Sequence, residues 1–324
     1  MIRRYEKETV FAPGEAAPAC HASTVLPLAD GSVLAAWFGG RHEKAADVCI
    51  WLSRRAPDGG WSAPRPLTPD NGVPDWNPVL HLRLDGTVLL FYKHGEEIPD
   101  WVTYMLESRD GGETWSDPRP LVPGDDSGGR GPVKNKCLRL KSGALLAPAS
   151  TERGGRWIPF IDRSYDDGTT WTASAPMERV KYQGRWVGLI QPTLWEDADG
   201  AVHALMRSDK GAVYRSDSED GGVTWSRPRR TRLPNNNSGI DCAKDGAGRI
   251  WLLSNPVAEN WGVRHPLALS VSQDNGRHFK TILLPEPGNG EFSYPSVVYE
   301  NGVLHAVYTW NRKQIRYIRI ESEA

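Results

Sequence analysis

One short pattern recurs along this chain at nearly constant spacing, and that spacing limits the possible folds more than any other feature. Four segments read Ser-x-Asp-x-Gly-x-Thr/His-Trp/Phe: Ser108–Trp115, Ser164–Trp171, Ser218–Trp225 and Ser272–Phe279. A worn fifth copy, Pro57-Asp58-Gly59-Gly60, ends at Trp61. The closing aromatics stand at 61, 115, 171, 225 and 279, so successive steps are 54, 56, 54 and 54 residues. Self-similarity at such a period marks a repeat architecture, each repeat being one small sheet or hairpin unit. One step further on lies past residue 324, so the last unit is short of its final strand.

A second repeat interleaves with the first. Six apolar stretches are each broken by a turn glycine: STVLPLADGSVLAAWF, PVLHLRLDGTVLLFY, CLRLKSGALLAPA, PTLWEDADGAVHALM, IDCAKDGAGRIWLLS and PSVVYENGVLHAVYTW, turning at Gly31, Gly86, Gly143, Gly200, Gly248 and Gly302. Each reads as a β-hairpin, because Asp-Gly and Asn-Gly supply the positive φ of a tight turn. Six hairpins, each followed by further strands ending at the Ser/Asp/Trp box, predict an all-β, six-bladed β-propeller as one domain over residues 1–324. Glu8–Pro13 is predicted to supply the missing strand and close the ring, which removes exposed sheet edges.

Composition agrees and excludes some partners. The 33 Gly and 25 Pro are spread along the chain, as many short strands and turns require. With 39 Lys+Arg against 40 Asp+Glu, a formal charge of −1, the chain has no global basic excess for nucleic acid or a membrane surface. Cys20, Cys49, Cys137 and Cys242 form no CxxC pair and lie in apolar runs, where a free thiol acts as a small hydrophobe. No carboxylate cluster predicts a metal site, and no cofactor is expected. MIRRYEKETVF carries no apolar signal segment, so a soluble, cytoplasmic protein is expected. Oligomeric state leaves no trace.

In a propeller the first strand of each hairpin is innermost, and its start opens at one end of the central channel. Eight to ten residues before each turn glycine stands a polar residue: His21, Asn77, Asn135, Gln191, Ser238 and Tyr294. The returning strands end near His42, Lys93, His94, Glu152, Arg153, Arg207, Asn255 and Trp310. Loops add Arg130, Lys134, Lys136, Asn235, Asn236, Asn237, Asp241, Arg264 and His265. Asn77, Asn135, Ser238 and Asp241 equally suit plain turn roles, and His42, His94 and His265 suit solvated loops. Arg207, directly after the apolar AVHALM run, is harder to explain that way. Such a ring of cationic, amide and aromatic groups fits a hydroxyl-rich ligand bearing a carboxylate.

Over essentially its whole length the chain resembles the sialidase (neuraminidase) superfamily of BNR-repeat propellers. HALMRSDKGAVYRSDSEDGGVTW is similar to the segment carrying the second arginine of the carboxylate-binding triad, which implies that role for Arg207. SNPVAENWGVRHPLALSVSQDNG resembles the stretch with the third arginine, implying Arg264, and FSYPSVVYENGVLHAVYTW that with the nucleophilic tyrosine, implying Tyr294. The departures are specific. His21-Ala22-Ser23 stands where sialidases carry Arg-Ile-Pro, and Gln191 where they carry the glutamate that activates the tyrosine. The acid/base aspartate of the first-blade loop has His42, Glu43 and Asp47 as conceivable counterparts.

A histidine at the head of the first blade resembles a different branch: enzymes acting on rhamnose–glucuronate linkages, either lyases or α-L-rhamnosidases, and propeller ulvan lyases. The expectation is thus an enzyme cleaving a glycosidic bond at or next to an acidic sugar. Its catalytic candidates are His21, Tyr294 and Gln191. Its substrate-binding candidates are Arg207, Arg264, Asn77, Asn135, Lys136, His42, Asn237 and Asp241. Its partner is an acidic oligosaccharide or glycan, with no nucleic acid and no membrane. An exo-α-sialidase with Tyr294 as nucleophile and a non-catalytic glycan-binding propeller stay open as alternatives.

Overall fold

The structure is a computed structural model that describes residues 2–322. Its strands form six four-stranded antiparallel sheets, the blades of a propeller, plus one two-stranded ribbon. The innermost strands are Ala19–Pro27, Asp75–Leu82, Leu138–Arg139, Leu189–Glu196, Asp241–Lys244 and Phe292–Glu300. Each returns through a hairpin to a second strand: Val33–Gly40, Val88–His94, Leu145–Arg153, Val202–Ser208, Ile250–Ser254 and Val303–Trp310. The turns work as their sequences require. Gly86 takes φ +85°, and Asp85 Oδ1 accepts the Thr87 N–H at 2.9 Å, an Asx contact that fixes the tight bend.

The second strands are buried along almost their whole length; Val33–Gly40 is buried at every residue. Both faces of a blade pack on neighbouring blades, so the polar/apolar alternation of a half-solvated sheet is lost. Six apolar clusters follow, one at each seam between successive blades. The Ser/Asp/Trp boxes lace the outer turns. Asp110 accepts the Ser108 and Thr114 hydroxyls and the Thr114 N–H, while Trp115 Nε1 donates to Gly112 O. The Thr114 hydroxyl is the largest of the contacts that hold the Asp110 carboxyl down at about 2.

Closure of the ring differs in detail from the expectation. The outermost strand of the sixth blade is Ile2–Thr9, paired antiparallel with Gln314–Ser322, rather than Glu8–Pro13. Val10 keeps one bond to Ile315 O at 2.9 Å, and then Val10 and Phe11 turn into the seam with the first blade. Phe11 stacks on the buried Trp37 with centroids 4.8 Å apart. Burying that apolar pair outweighs extending an outer strand with it. All four cysteines are buried and free. No helix among the described residues is long and apolar enough to cross a membrane.

Candidate functional site

In four blades the innermost strand is interrupted at the same place. Pairing slips between His21 and Thr24, Trp76 and Val79, Ile190 and Thr193, and Ser293 and Ser296. The first extra residue is left-handed each time: Ala22 at φ 53°, Asn77 at 45°, Gln191 at 55° and Tyr294 at 53°. The second is Pro78, Pro192 or Pro295, with Ser23 in the first blade. Proline fits there because a bulge residue drops out of the ladder and needs no N–H. Non-glycine residues held at positive φ are uncommon, and they gather at binding and catalytic sites. The bulges also correct the register count. His21 is equivalent to Trp76, Ile190 and Ser293, one residue ahead of Asn77, Gln191 and Tyr294; the first blade's own bulge residue is Ala22.

Around these bulges lies a cavity of about 320 Å³. Of the anticipated residues, His21, Asn77, Gln191, Arg207, Arg264 and Tyr294 line it together. Arg207 is its best-braced member. Nη1 donates to Tyr294 Oη at 2.6 Å and to Gln191 Oε1 at 3.1 Å, while Nε and Nη2 both donate to Asn237 Oδ1 at 3.1 and 2.9 Å. Because Arg207 supplies the proton of its bond to Tyr294, the phenol's own proton is left for another acceptor. Three cations surround that ring: the Arg207 and Arg264 guanidinium carbons each 5.5 Å from its centroid, and the Lys134 ammonium 5.9 Å away. Lys134 is fully buried, donating to Asn135 Oδ1 and Pro295 O, and burial brings its ammonium down to about 7 against the pull of Asp241.

His21 stands beside the tyrosine with ring centroids 4.2 Å apart, and its Nδ1 meets Thr309 Oγ1 at 3.0 Å. Nε2 has no partner among the described residues. Burial first, then Arg312, Arg264, Lys134 and Arg207, push its pKa well below the ordinary histidine range. The imidazole is therefore neutral at neutral pH, in the form that accepts a proton.

Two charged groups at the cavity were not among the catalytic and substrate-binding candidates, although Glu152 was counted among the returning strand ends. Arg312, in the turn after Trp310, lines it, with Nε on Glu291 Oε1 at 2.7 Å and Nη1 on the Glu43 carboxylate. Arg264 Nη1 donates to the same Glu291 oxygen at 2.9 Å, so one carboxylate holds two guanidiniums side by side. Glu152 lines the opposite side with no hydrogen bond or ion pair among the described residues, and burial raises its pKa against the opposing charge of Arg207. Trp76, Trp101, Trp157 and Trp261 complete an aromatic rim. The Asn-Pro, Gln-Pro and Tyr-Pro dipeptides at 77, 191 and 294 were the available sign of the bulges. Nothing in the spacing singled out Arg312, whose turn lies beyond the strand end.

The remaining anticipated residues lie elsewhere. Lys136 and Asp241 pair at 3.0 Å away from the cavity lining. Asp241 also accepts the Thr193 hydroxyl and the Cys242 and Val297 N–H groups, which ties blades three to six together. Asn135 Nδ2 donates to the carbonyls of Gln191 and Pro192, a strut between blades. Asn237 acts on the site through Arg207 and is itself held by Asn260 Oδ1. His42 opens on a narrow cleft behind His21, and Ser238 is buried with an unpartnered hydroxyl. Of the three first-blade loop candidates only Glu43 reaches the main cavity, whereas Asp47 is paired with Arg41. Among the described residues no group of three or more His, Cys, Asp or Glu could hold a metal ion.

Comparison with known proteins matches this geometry at the level of fold. The profile of the BNR repeat-like domain family matches residues 31–306. A protein of unknown function from Dyadobacter fermentans superposes with a TM-score of 0.79 at 18% identity, covering 99% of this chain and 100% of that one. A Hadza microbial sialidase gives a TM-score of 0.79 at 17% identity over 97% of this chain and 68% of its own. Trypanosoma rangeli sialidase in complex with the inhibitor DANA gives 0.76 at 15% identity, over 98% of this chain and 60% of its own. No curated protein matches. At these identities the structural likeness establishes the six-bladed sialidase-like propeller.

Proposed function

The chain belongs to the BNR repeat-like domain family, and from that footing we propose that it is a carbohydrate-active enzyme cleaving a glycosidic bond at or next to an acidic sugar. One observation carries the reading. A neutral His21 and the Tyr294 phenol lie side by side in a cavity whose wall presents Arg207, Arg264 and Arg312. A uronate carboxylate paired with these guanidiniums loses its charge to them, which acidifies the hydrogen on the adjacent carbon. His21 takes that proton, the carbon–oxygen bond to the neighbouring sugar breaks as the double bond forms, and Tyr294 protonates the leaving oxygen. Histidine ends protonated and tyrosine deprotonated, so one proton returned between them, directly or through water, restores both.

The test is a panel of acidic oligosaccharides with products examined by mass and ultraviolet absorbance. An unsaturated, absorbing product one water lighter than the hydrolysis product is expected. Saturated products would replace elimination by hydrolysis, and silence on every acidic sugar would sink the reading. A second reading, exo-α-sialidase, is favoured by Glu43, which reaches the cavity from the first-blade loop. Against it, Gln191 offers the tyrosine no base, and an unaided phenol is a poor nucleophile. Release of sialic acid from a fluorogenic sialoside, abolished in Tyr294→Phe, would decide for it.

A further inference from the structure

The near-zero net charge conceals a local imbalance beside the cavity. Between the third and fourth blades the chain inserts a two-stranded ribbon, Lys181–Tyr182 paired with Arg185–Trp186, the one sheet outside the six blades among the described residues. Trp186 is 49% exposed, and two cations flank its ring, the Arg179 guanidinium at 4.3 Å and the Lys181 ammonium at 4.7 Å. Tyr182 carries the Arg230 guanidinium at 4.8 Å, which joins the outer strand of the fourth blade, Arg229–Pro234, to the ribbon. None of Arg179, Lys181, Arg185, Arg230 or Arg232 has an ion pair among the described residues. Neighbouring carboxylates are already paired, Glu178 with Arg227, Asp209 with Lys210, and Asp217 with Arg215 and Arg229.

Five unneutralised cations on one short surface repel one another and favour an anionic partner. The ribbon is also continuous with the cavity wall. Its base is fixed in the seam by Val180 and Val187, bonded at 3.0 Å. Trp157, a cavity residue, packs on Gly188 so closely that a Cβ there would lie 2.9 Å from its ring. Gly188 is only two residues beyond Trp186. A polymer leaving the cavity past Trp157 therefore meets the ribbon next.

We propose that this ribbon and the adjoining strand form an accessory site for an anionic polysaccharide, binding carboxylates of sugars further along the chain whose end occupies the cavity. The inference rests on the acidic-glycan reading of the cavity. Arginine forks match carboxylates in pairs, and the Trp186 and Tyr182 rings already order the cations that would do the binding. A nucleic acid is disfavoured because the patch is confined to one ribbon and strand of a chain whose net charge is −1.

Retardation of the purified protein in gels containing polygalacturonate, with dextran as neutral control and duplex DNA as a second polyanion, reads the site without any cleavage. Wild type is expected to be retarded by polygalacturonate and not by dextran. The triple variant Arg179→Ala, Lys181→Ala, Arg230→Ala should bind about tenfold more weakly, with more salt-sensitive binding in the wild type. Its turnover of a short acidic oligosaccharide and its thermal midpoint should be unchanged. Equal retardation of wild type and variant, or none of either, overturns the accessory site. So does DNA retarding the wild type as strongly as polygalacturonate, since the patch would then be a general polyanion surface. Loss of retardation in the variant, with no acidic sugar cleaved by the wild type, would keep the accessory site and remove the catalytic reading.

Discussion

The two walls of the cavity are built in opposite ways. On the side of blades four to six, every charged group is held. Arg207 is fixed by Tyr294, Gln191 and Asn237, and Arg264 and Arg312 share Glu291. On the side of blades one to three, Glu152 has no partner and Glu96 and Glu97 are exposed, while Glu43 reaches from a loop to Arg312. The difference separates two tasks. Braced dipoles and charges stabilise a substrate without reorganising, whereas an unpaired carboxyl is free to change protonation. His21 and Tyr294 meet where the walls join.

The largest expected effect falls at that junction. His21→Gln keeps the polar shape but removes the proposed base, and turnover on an acidic oligosaccharide should fall by about three orders of magnitude. A variant within about tenfold of wild type would mean that the base lies elsewhere. The same residue sets the pH profile. On the proposed mechanism the neutral imidazole is the active form, and with its pKa pushed well below 6.5, kcat/KM should stay level on acidification through the ordinary histidine range and fall only below it. Arg312→Gln removes the largest coulombic contributor, so the acid limb should move upward; an unmoved limb would detach it from His21.

Next comes the braced wall. Arg207→Lys retains the charge but cannot serve Tyr294, Gln191 and Asn237 at once, and about a hundredfold loss in kcat/KM is expected. A loss confined to KM would make Arg207 a binding group only.

How far the sequence reached follows the same division. The blades were legible because each box and each hairpin glycine acts locally: Asp110 satisfies its own turn, and Gly86 bends its own hairpin. Arg207 was legible because it ends a recognisable strand. Lys136 and Asp241 misled because a charged pair in the middle of a ring and one at its mouth have the same local sequence; only the contacts to Thr193 and Val297, from other blades, distinguish them. Arg312 and Glu291 were invisible for the related reason that their meaning lies in a carboxylate shared across the fifth and sixth blades.

The loose wall should respond more gently. Burial raises the Glu152 pKa, so the folded protein keeps a proton that the unfolded chain releases above the ordinary carboxyl value of 4.5. In that window the folded state binds more protons, and stability falls as pH rises. Glu152→Gln should abolish this decline and leave the protein more stable at neutral pH, while costing about tenfold in turnover if the carboxyl relays protons. Gain of stability without loss of turnover would leave Glu152 as wall lining.

The smallest catalytic effect is expected at a carboxylate that is fully satisfied away from the cavity. Asp241→Asn keeps the shape but removes the charge that neutralises Lys136 and replaces one acceptor by a donor facing the Val297 N–H or the Thr193 hydroxyl. Breaking a buried pair in this way destabilises by about 3–5 kcal/mol, less here because Lys136 keeps partial solvent contact. Denaturant unfolding should register that loss, while the folded fraction retains wild-type kcat and KM. Both outcomes together mark a strut. A raised KM with an unchanged unfolding midpoint would instead return Asp241 to the binding machinery and break the contrast between channel and cavity.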